Sequence, residues 1–161
     1  MKRNMCKKML PVLIAALFTL LFSIPAMAAT PKLKSYPSSK VTAKQIATEL
    51  SKAFKINRIT TPSKKQAPQY GEPNYYKTKA NFYDKKYSKV YCSVEVFRDA
   101  YDAATRCGEL RSYRFVYTLL GITEDVPFTA YRYKNVVVRL NNKMPQKYAI
   151  QYYNTLKKIV K

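Results

Sequence analysis

Lysines and arginines alternate with tyrosines through much of this sequence. The densest example is a turn between two predicted strands, where cations and aromatic rings adjoin: Lys85, Lys86, Lys89, Tyr83, Tyr87 and Tyr91. Lysine neutralises the charge of a polyanion, and tyrosine stacks on bases or sugar rings. We therefore predict an anion-binding site at this turn. The alternative is that tyrosine fills the strand faces while lysine keeps the strand edges soluble.

Few residues in the chain could carry out catalysis. There is no histidine, which excludes a Ser-His-Asp triad and the common His-containing zinc sites. With three glycines in all, there is no glycine-rich phosphate loop, and we expect no metal or cofactor. A glycosidase needs two facing carboxyl groups, and Asp84 and Glu95 lie on neighbouring predicted strands. Ion pairs of Glu95 with Arg139 or Lys79 across the sheet are the simpler interpretation.

Cys92 and Cys107 are predicted to form a disulfide. Cys92 alternates with Val94 on one face of a predicted strand, and Cys107 falls with Ala103 and Leu110 on the apolar stripe of the helix that follows. If strand face and helix stripe pack together, the two sulfur atoms come within reach, and cysteines of an exported domain usually pair. The alternative is two free, buried thiols.

The first 28 residues have the three parts of a secretory signal. Four basic residues precede an apolar stretch, Leu10–Ile24, and Ala26-Met27-Ala28 supplies small residues for cleavage. The alternative, an uncleaved membrane anchor, needs about 20 apolar residues, and this run is shorter. We expect cleavage before Ala29 and a secreted or periplasmic protein.

The net charge indicates what kind of partner the exported chain binds. The whole sequence carries +21, and the predicted signal holds four of the 30 basic residues and no acid, so +17 remains after cleavage. Such a surface attracts polyanions and anionic membranes. We predict an anionic cell-envelope polymer, an anionic membrane surface or an acidic protein as the partner. Export argues against nucleic acid.

Periodicity and breakers divide the rest of the chain into elements. Residues 29–40 are predicted to be a flexible leader and 41–161 one domain. Within it we predict a helix over 42–55 with a Thr42–Gln45 capping box, an irregular connection over Asn57–Asn74 and two strands, Tyr76–Asp84 and Val90–Phe97. A helix over about 100–120 follows with an N-cap at Asp99; Gly108 inside it costs about 1 kcal/mol relative to alanine, which puts its continuity in question. After a turn at 124–127, two short strands form a hairpin around Lys134-Asn135, with a single long strand as the alternative. Pro145 opens the last helix, whose apolar stripe is Ala149, Tyr152, Tyr153, Leu156 and Val160.

This order of helix, two strands, helix, two strands and helix predicts an α+β fold. We expect a mostly antiparallel sheet of about four strands, with amphipathic helices packed on one face and one disulfide.

Two stretches carry a resemblance to a known family. The first is Gly71-x-Pro73-x-x-Tyr76-x-x-Lys79-x-x-Phe82-x-Asp84. The second is Ser93-Val-Glu-Val-Phe97, a helix, Tyr131-x-Tyr133, Asn135-Val-Val-Val-Arg139-Leu140 and a closing helix. The pattern resembles a family of small exported bacterial proteins of unknown function. The resemblance implies export and a compact α/β domain, and it implies no reaction.

Together these observations predict a non-enzymatic, exported, basic binding protein. One alternative is a secreted protein-interaction module, an inhibitor or toxin-like factor, acting through Asn57–Asn74. The other is a hydrolase that uses carboxylates.

Overall fold

The computed structural model describes residues 31–62, 75–87, 91–120 and 128–161. The elements in these ranges are α1 (Ala43–Ala53), β1 (Ile56–Thr60), β2 (Thr78–Asp84), a 3₁₀ turn (Lys85–Tyr87), β3 (Cys92–Val96), α2 (Ala100–Leu119), β4 (Phe128–Tyr133), β5 (Val136–Asn141) and α3 (Gln146–Ile159). The α+β class is therefore confirmed. The predicted signal, Lys89 and the predicted turn at 124–127 lie outside the described residues.

The strands form one antiparallel sheet in the order β1-β2-β3-β5-β4. It has five strands where about four were expected. The additional strand, β1, occupies the start of the segment predicted as an irregular connection. It is a short edge strand whose pairing with β2 is interrupted between Asn57 and Thr60, where Arg58 has a φ of 49°. A bulge of this kind breaks the alternation by which a strand is recognised in sequence.

The larger core lies between one face of the sheet and the helices α1 and α3. Val94 and Val138 are paired at the centre of this face and are fully buried. The predicted capping box begins α1: Gln45 N–H donates to the Thr42 hydroxyl, and Thr42 N–H donates to the Gln45 side chain. The predicted stripe of α3 is confirmed as well, since its buried residues include Ala149, Tyr152 and Leu156.

A second, smaller core lies on the opposite face of the sheet, under α2. Val137, between two valines of the first core, packs here with Phe97, Ala103 and Cys107. The predicted N-cap is present, since Asp102 N–H donates to the carboxylate of Asp99. The helices thus cover both faces, and the prediction of one covered face is wrong. The reason is that β5 is buried at every position, so both of its faces need a covering layer.

The predicted disulfide is absent, and both cysteines are free. Cys92 belongs to the core beneath α1 and α3, whereas Cys107 belongs to the core beneath α2. The sheet itself separates the two sulfur atoms, which rules out the bond. α2 packs on the face formed by the residues that alternate with Cys92. Burial raises the pKa of the Cys92 thiol to about 12, so it stays protonated at neutral pH.

The face under α2 also holds a buried charge cluster centred on Glu95. One carboxylate oxygen lies 3.1 Å from an Arg139 nitrogen and 3.8 Å from Lys79 Nζ, and the other lies 3.1 Å from Arg106 Nε. All four side chains are buried. The predicted cross-sheet pairing of Glu95 with Arg139 and Lys79 is confirmed, and Arg106 of α2 adds a third cation.

The segment predicted to be a flexible leader is hydrogen-bonded to the end of the chain from Tyr36 onward. Tyr36 N–H donates to Ile159 O at 2.7 Å, and Lys161 N–H donates to Tyr36 O at 2.8 Å. Lys34 N–H donates to the buried carboxylate of Glu49 at 2.8 Å. This part of the segment is thus ordered in the domain.

The predicted hairpin at Lys134-Asn135 joins β4 and β5. Lys134, rather than Asn135, has the positive φ, 52°. The Asn135 side chain instead donates to Phe97 O at 2.9 Å and to Ser38 O at 3.0 Å. The asparagine therefore connects three parts of the chain.

Candidate functional site

The first two lysines of the predicted site are held at the end of β2. Asp84 closes the strand, and its carboxylate accepts a hydrogen bond of 2.8 Å from Lys86 N–H. Lys85 N–H donates to Lys55 O, also at 2.8 Å, which fixes the turn to the residue before β1. The side chains of Lys55, Lys85 and Lys86 are all exposed. The backbone thus brings three exposed lysines from two distant parts of the sequence close to one another.

Two tyrosine rings lie beside these cations. Lys86 Nζ is 5.7 Å from the ring centroid of Tyr87 and 5.8 Å from that of Tyr148, within the range of cation–π attraction. The two rings are 5.6 Å apart, and both are half-buried. We call Lys55, Lys85, Lys86, Tyr87 and Tyr148 the basic corner.

Asp84 supports the basic corner from inside the core. Its carboxylate is fully buried and accepts hydrogen bonds from the hydroxyls of Tyr148 at 2.9 Å and Tyr152 at 2.7 Å. Burial, and next the bond to Asp84, raise the pKa of both tyrosines above the usual range, so both hydroxyls remain donors. The Tyr152 ring stacks on Phe54, with centroids 3.7 Å apart. Asp84 therefore orients the Tyr148 ring of the corner and the Tyr152 ring behind it.

The structure divides the predicted aromatic residues between two faces. Tyr83 and Tyr91 lie at the same end of the sheet as Tyr87, but on the face that α2 covers. Their ring centroids are 6.5 Å apart, and both are half-buried. Of the predicted set, Lys85, Lys86 and Tyr87 therefore come together, whereas Tyr83 and Tyr91 pair with each other.

Lys55 and Tyr148 were not predicted as site residues. Both lie far along the chain from the turn, and only the pairing of β1 with β2 and the packing of α3 bring them to it. The helical pattern around Tyr148 was visible, but it does not indicate which strand end the helix meets.

Charges of opposite sign are distributed differently in the described part of the chain. All its exposed charged residues are lysines and arginines: Lys32, Lys34, Lys40, Lys44, Lys52, Lys55, Arg58, Lys77, Lys85, Lys86, Arg98, Arg111, Arg132, Lys134, Lys143, Lys147, Lys157, Lys158 and Lys161. Its acids are buried (Glu49, Asp84 and Glu95) or half-buried (Asp99, Asp102 and Glu109).

Each of these acids already has a partner within the molecule. Glu49 pairs with Lys52 at 2.7 Å, and Glu109 pairs with Arg106 at 3.2 Å. The Asp99 carboxylate caps α2, and both Asp99 and Asp102 pair with Arg98. The exposed charge of the described residues is therefore mostly positive.

The carboxylate pair considered for hydrolysis does not face a common cleft. Asp84 and Glu95 lie on opposite faces of the sheet, the first bonded to tyrosine hydroxyls and the second to three cations. Among the residues that the structure describes, no three Cys, Asp or Glu side chains are grouped so that they could hold a metal ion.

A scan against protein-family models, a search of curated proteins and a search of solved structures each return no match. The resemblance to a family of exported bacterial proteins stays a prediction. Within the described ranges, none of the helices has the length and apolar character needed to span a bilayer.

Proposed function

We propose that this chain is a non-enzymatic binding protein of the bacterial cell envelope or extracellular space, and that its ligand is anionic. The observation that carries the proposal is the division of charge: each described acid is paired within the molecule and three of the six are buried, whereas nineteen of the described lysines and arginines are exposed. The ligand class is an anionic envelope polymer, an anionic membrane surface or an acidic protein.

The division of charge favours binding for a physical reason. A carboxylate on the surface would attract the neighbouring lysines and weaken the field that a ligand meets. Here Glu49, Asp84 and Glu95 are buried, so they face no ligand. The exposed cations add their potentials over the surface, which raises the association rate and the affinity for polyanions.

We place the main contact at the basic corner. Lys85 and Lys86 of the turn and Lys55 of the adjoining segment supply three cations. The rings of Tyr87 and Tyr148 offer flat apolar surface beside Lys86. A phosphate, carboxylate or sulfate group would meet the ammonium groups, while a sugar ring of the polymer would pack on tyrosine. The Tyr148 ring is held in place before binding by its hydrogen bond to Asp84, so this ring needs little ordering.

The test is retention of the protein on immobilised dextran sulfate and on purified anionic wall polymer at increasing salt. The wild-type protein should be retained at about 0.05 M NaCl and released as salt screens the contacts. The triple variant Lys55→Gln/Lys85→Gln/Lys86→Gln should elute at lower salt, with a shallower dependence of affinity on salt concentration. Its stability should change by less than about 0.5 kcal/mol per site, because all three side chains are exposed.

A control variant removes the same charge from the other end of the sheet. Lys40→Gln/Lys77→Gln/Lys161→Gln changes three exposed lysines away from Asp84, and it should elute close to the wild-type protein. If both variants lose retention equally, the ligand is still anionic, but the basic corner is not its main contact. If the wild-type protein is not retained at low salt, or is retained equally at about 1 M, the proposed function is wrong.

A further inference from the structure

The C-terminal half of α2 carries a cluster of exposed apolar side chains. Phe115 is 69% exposed, Leu119 75% and Leu120 65%, and Val116 and Tyr113 are about half exposed, at 48% and 50%. We call these five residues the apolar tip. Single exposed apolar residues are ordinary, but a contiguous apolar patch on a protein surface marks an interaction site.

The tip extends beyond the part of α2 that packs on the sheet. Ala103, Arg106 and Cys107 are buried, and Leu110 is half-buried against the second core. After Leu110, each described side chain of the helix is exposed. Phe115, Val116 and Leu119 also lie on the side of the helix that faces away from the sheet, given 3.6 residues per turn. Packing within the domain therefore does not explain their apolar character.

We propose that the apolar tip inserts into the surface of an anionic lipid bilayer. This inference rests on the proposed function, and it selects the membrane surface from the three ligand classes. The argument is charge complementarity: residues 110–120 contain two arginines and no acid, Arg111 is exposed, and the 30 lysines and arginines of the full sequence far outnumber its nine acids. Interfacial segments combine basic residues with Phe, Leu and Tyr, which enter the boundary between headgroups and acyl chains.

A second copy of the chain is a less favourable partner for the apolar tip. Two copies that meet through it would bring two strongly cationic surfaces together, and a net charge this far from zero keeps proteins apart. An anionic bilayer removes this repulsion and also buries the apolar side chains. The other possible partner, a protein with an apolar groove and an acidic rim, is distinguished by the experiments below.

The first test is co-sedimentation with vesicles of phosphatidylglycerol and phosphatidylcholine in equal amounts. Residues 31–161 form a compact unit with its own cores, so a chain that starts at Ala29 is used, without the apolar segment Leu10–Ile24. Phe115→Ser/Leu119→Ser should weaken partitioning onto these vesicles by about tenfold or more, since it removes two exposed apolar side chains that become buried on insertion. Its retention on dextran sulfate should equal that of the wild-type protein.

A matched control changes exposed apolar residues elsewhere. Tyr101→Ser/Ile150→Ser alters one residue at the other end of α2 and one on α3, both exposed, and should bind vesicles as the wild-type protein does. If Phe115→Ser/Leu119→Ser binds vesicles equally well, or if the wild-type protein binds pure phosphatidylcholine equally well, the inference is overturned. In both cases retention on dextran sulfate still reports separately on the proposed function.

A second measurement locates the inserted residue directly. The chain contains no tryptophan, so Leu119→Trp introduces a single probe at the tip and Tyr101→Trp one at a distance from it. On adding anionic vesicles, the emission of Leu119→Trp should shift to the blue and be quenched by brominated acyl chains, whereas that of Tyr101→Trp should not. A self-associating wild-type protein whose dimer is lost in Phe115→Ser/Leu119→Ser would assign the tip to a second copy. Absence of any blue shift with wild-type-like vesicle binding would leave a protein groove as the better occupant.

Discussion

At Glu95, the free energy of a buried carboxylate depends on the cations around it. The side chain has no exposed area and lies within 4 Å of Lys79, Arg106 and Arg139. Burying a charge costs several kcal/mol, and the cost is offset only when opposite charges and hydrogen bonds surround it. The cluster also connects β2, β3, β5 and α2, so Glu95 influences how α2 packs on the sheet.

Replacing this carboxylate should therefore be strongly destabilising. We expect Glu95→Gln to lower the free energy of unfolding by about 3–5 kcal/mol, because it removes the charge shared by three buried cations. Urea unfolding followed by circular dichroism measures it. Glu109→Gln is the matched control, since Glu109 pairs with Arg106 but is half-buried, and its loss should stay below about 1 kcal/mol. Similar losses in the two variants would contradict a central role for Glu95.

At the scale of the elements, the features predicted correctly are those set by interactions between residues close in sequence. The capping box at Thr42, the N-cap at Asp99, the stripe of α3 and the hairpin at Lys134 each depend on residues close in sequence, and all are present. Lys85 and Lys86 were placed at a strand end for the same reason.

The features that were not predicted depend on pairings between distant segments. β1 became recognisable only as the partner of β2. The side of the sheet on which α2 packs follows from the burial of β5 on both faces. That choice placed Cys107 across the sheet from Cys92 and excluded the disulfide. Lys55 and Tyr148 reached the basic corner by the same long-range packing.

Replacing Gly108 tests the continuity of α2, because glycine inside a helix is unfavourable. A Cβ added there would meet nothing within 4 Å, and the residue is exposed. Gly108→Ala should therefore stabilise the protein by about 0.5–1 kcal/mol, because alanine loses less backbone entropy in a helix. The reverse change on the same helix, Ala104→Gly, should destabilise it by a similar amount. Thermal unfolding of both variants measures this, and a destabilised Gly108→Ala would show that α2 is interrupted at this position.

At the scale of the whole molecule, the same cations act on folding and on binding in opposite directions. Exposed lysines repel one another in the folded protein, and the described acids, already paired within the molecule, do little to offset this. Salt screens that repulsion, and it equally screens attraction to a polyanion. Salt should therefore stabilise the free protein under the same conditions in which it weakens the affinity for a polyanion.

We accordingly expect the melting temperature of the free protein to rise between about 0.01 M and 0.15 M NaCl, as the screening length falls from about 30 Å to about 8 Å. Adding dextran sulfate at the lower salt should raise the melting temperature further, because the ligand binds the folded surface, and this gain should shrink as salt is added. The variant Lys40→Gln/Lys77→Gln/Lys161→Gln, with less repulsion, should show a smaller rise with NaCl alone. If the melting temperature of the free protein instead falls with NaCl, attractive ion pairs dominate its surface. The charges would then be occupied within the molecule, and the basis for an anionic ligand would be lost.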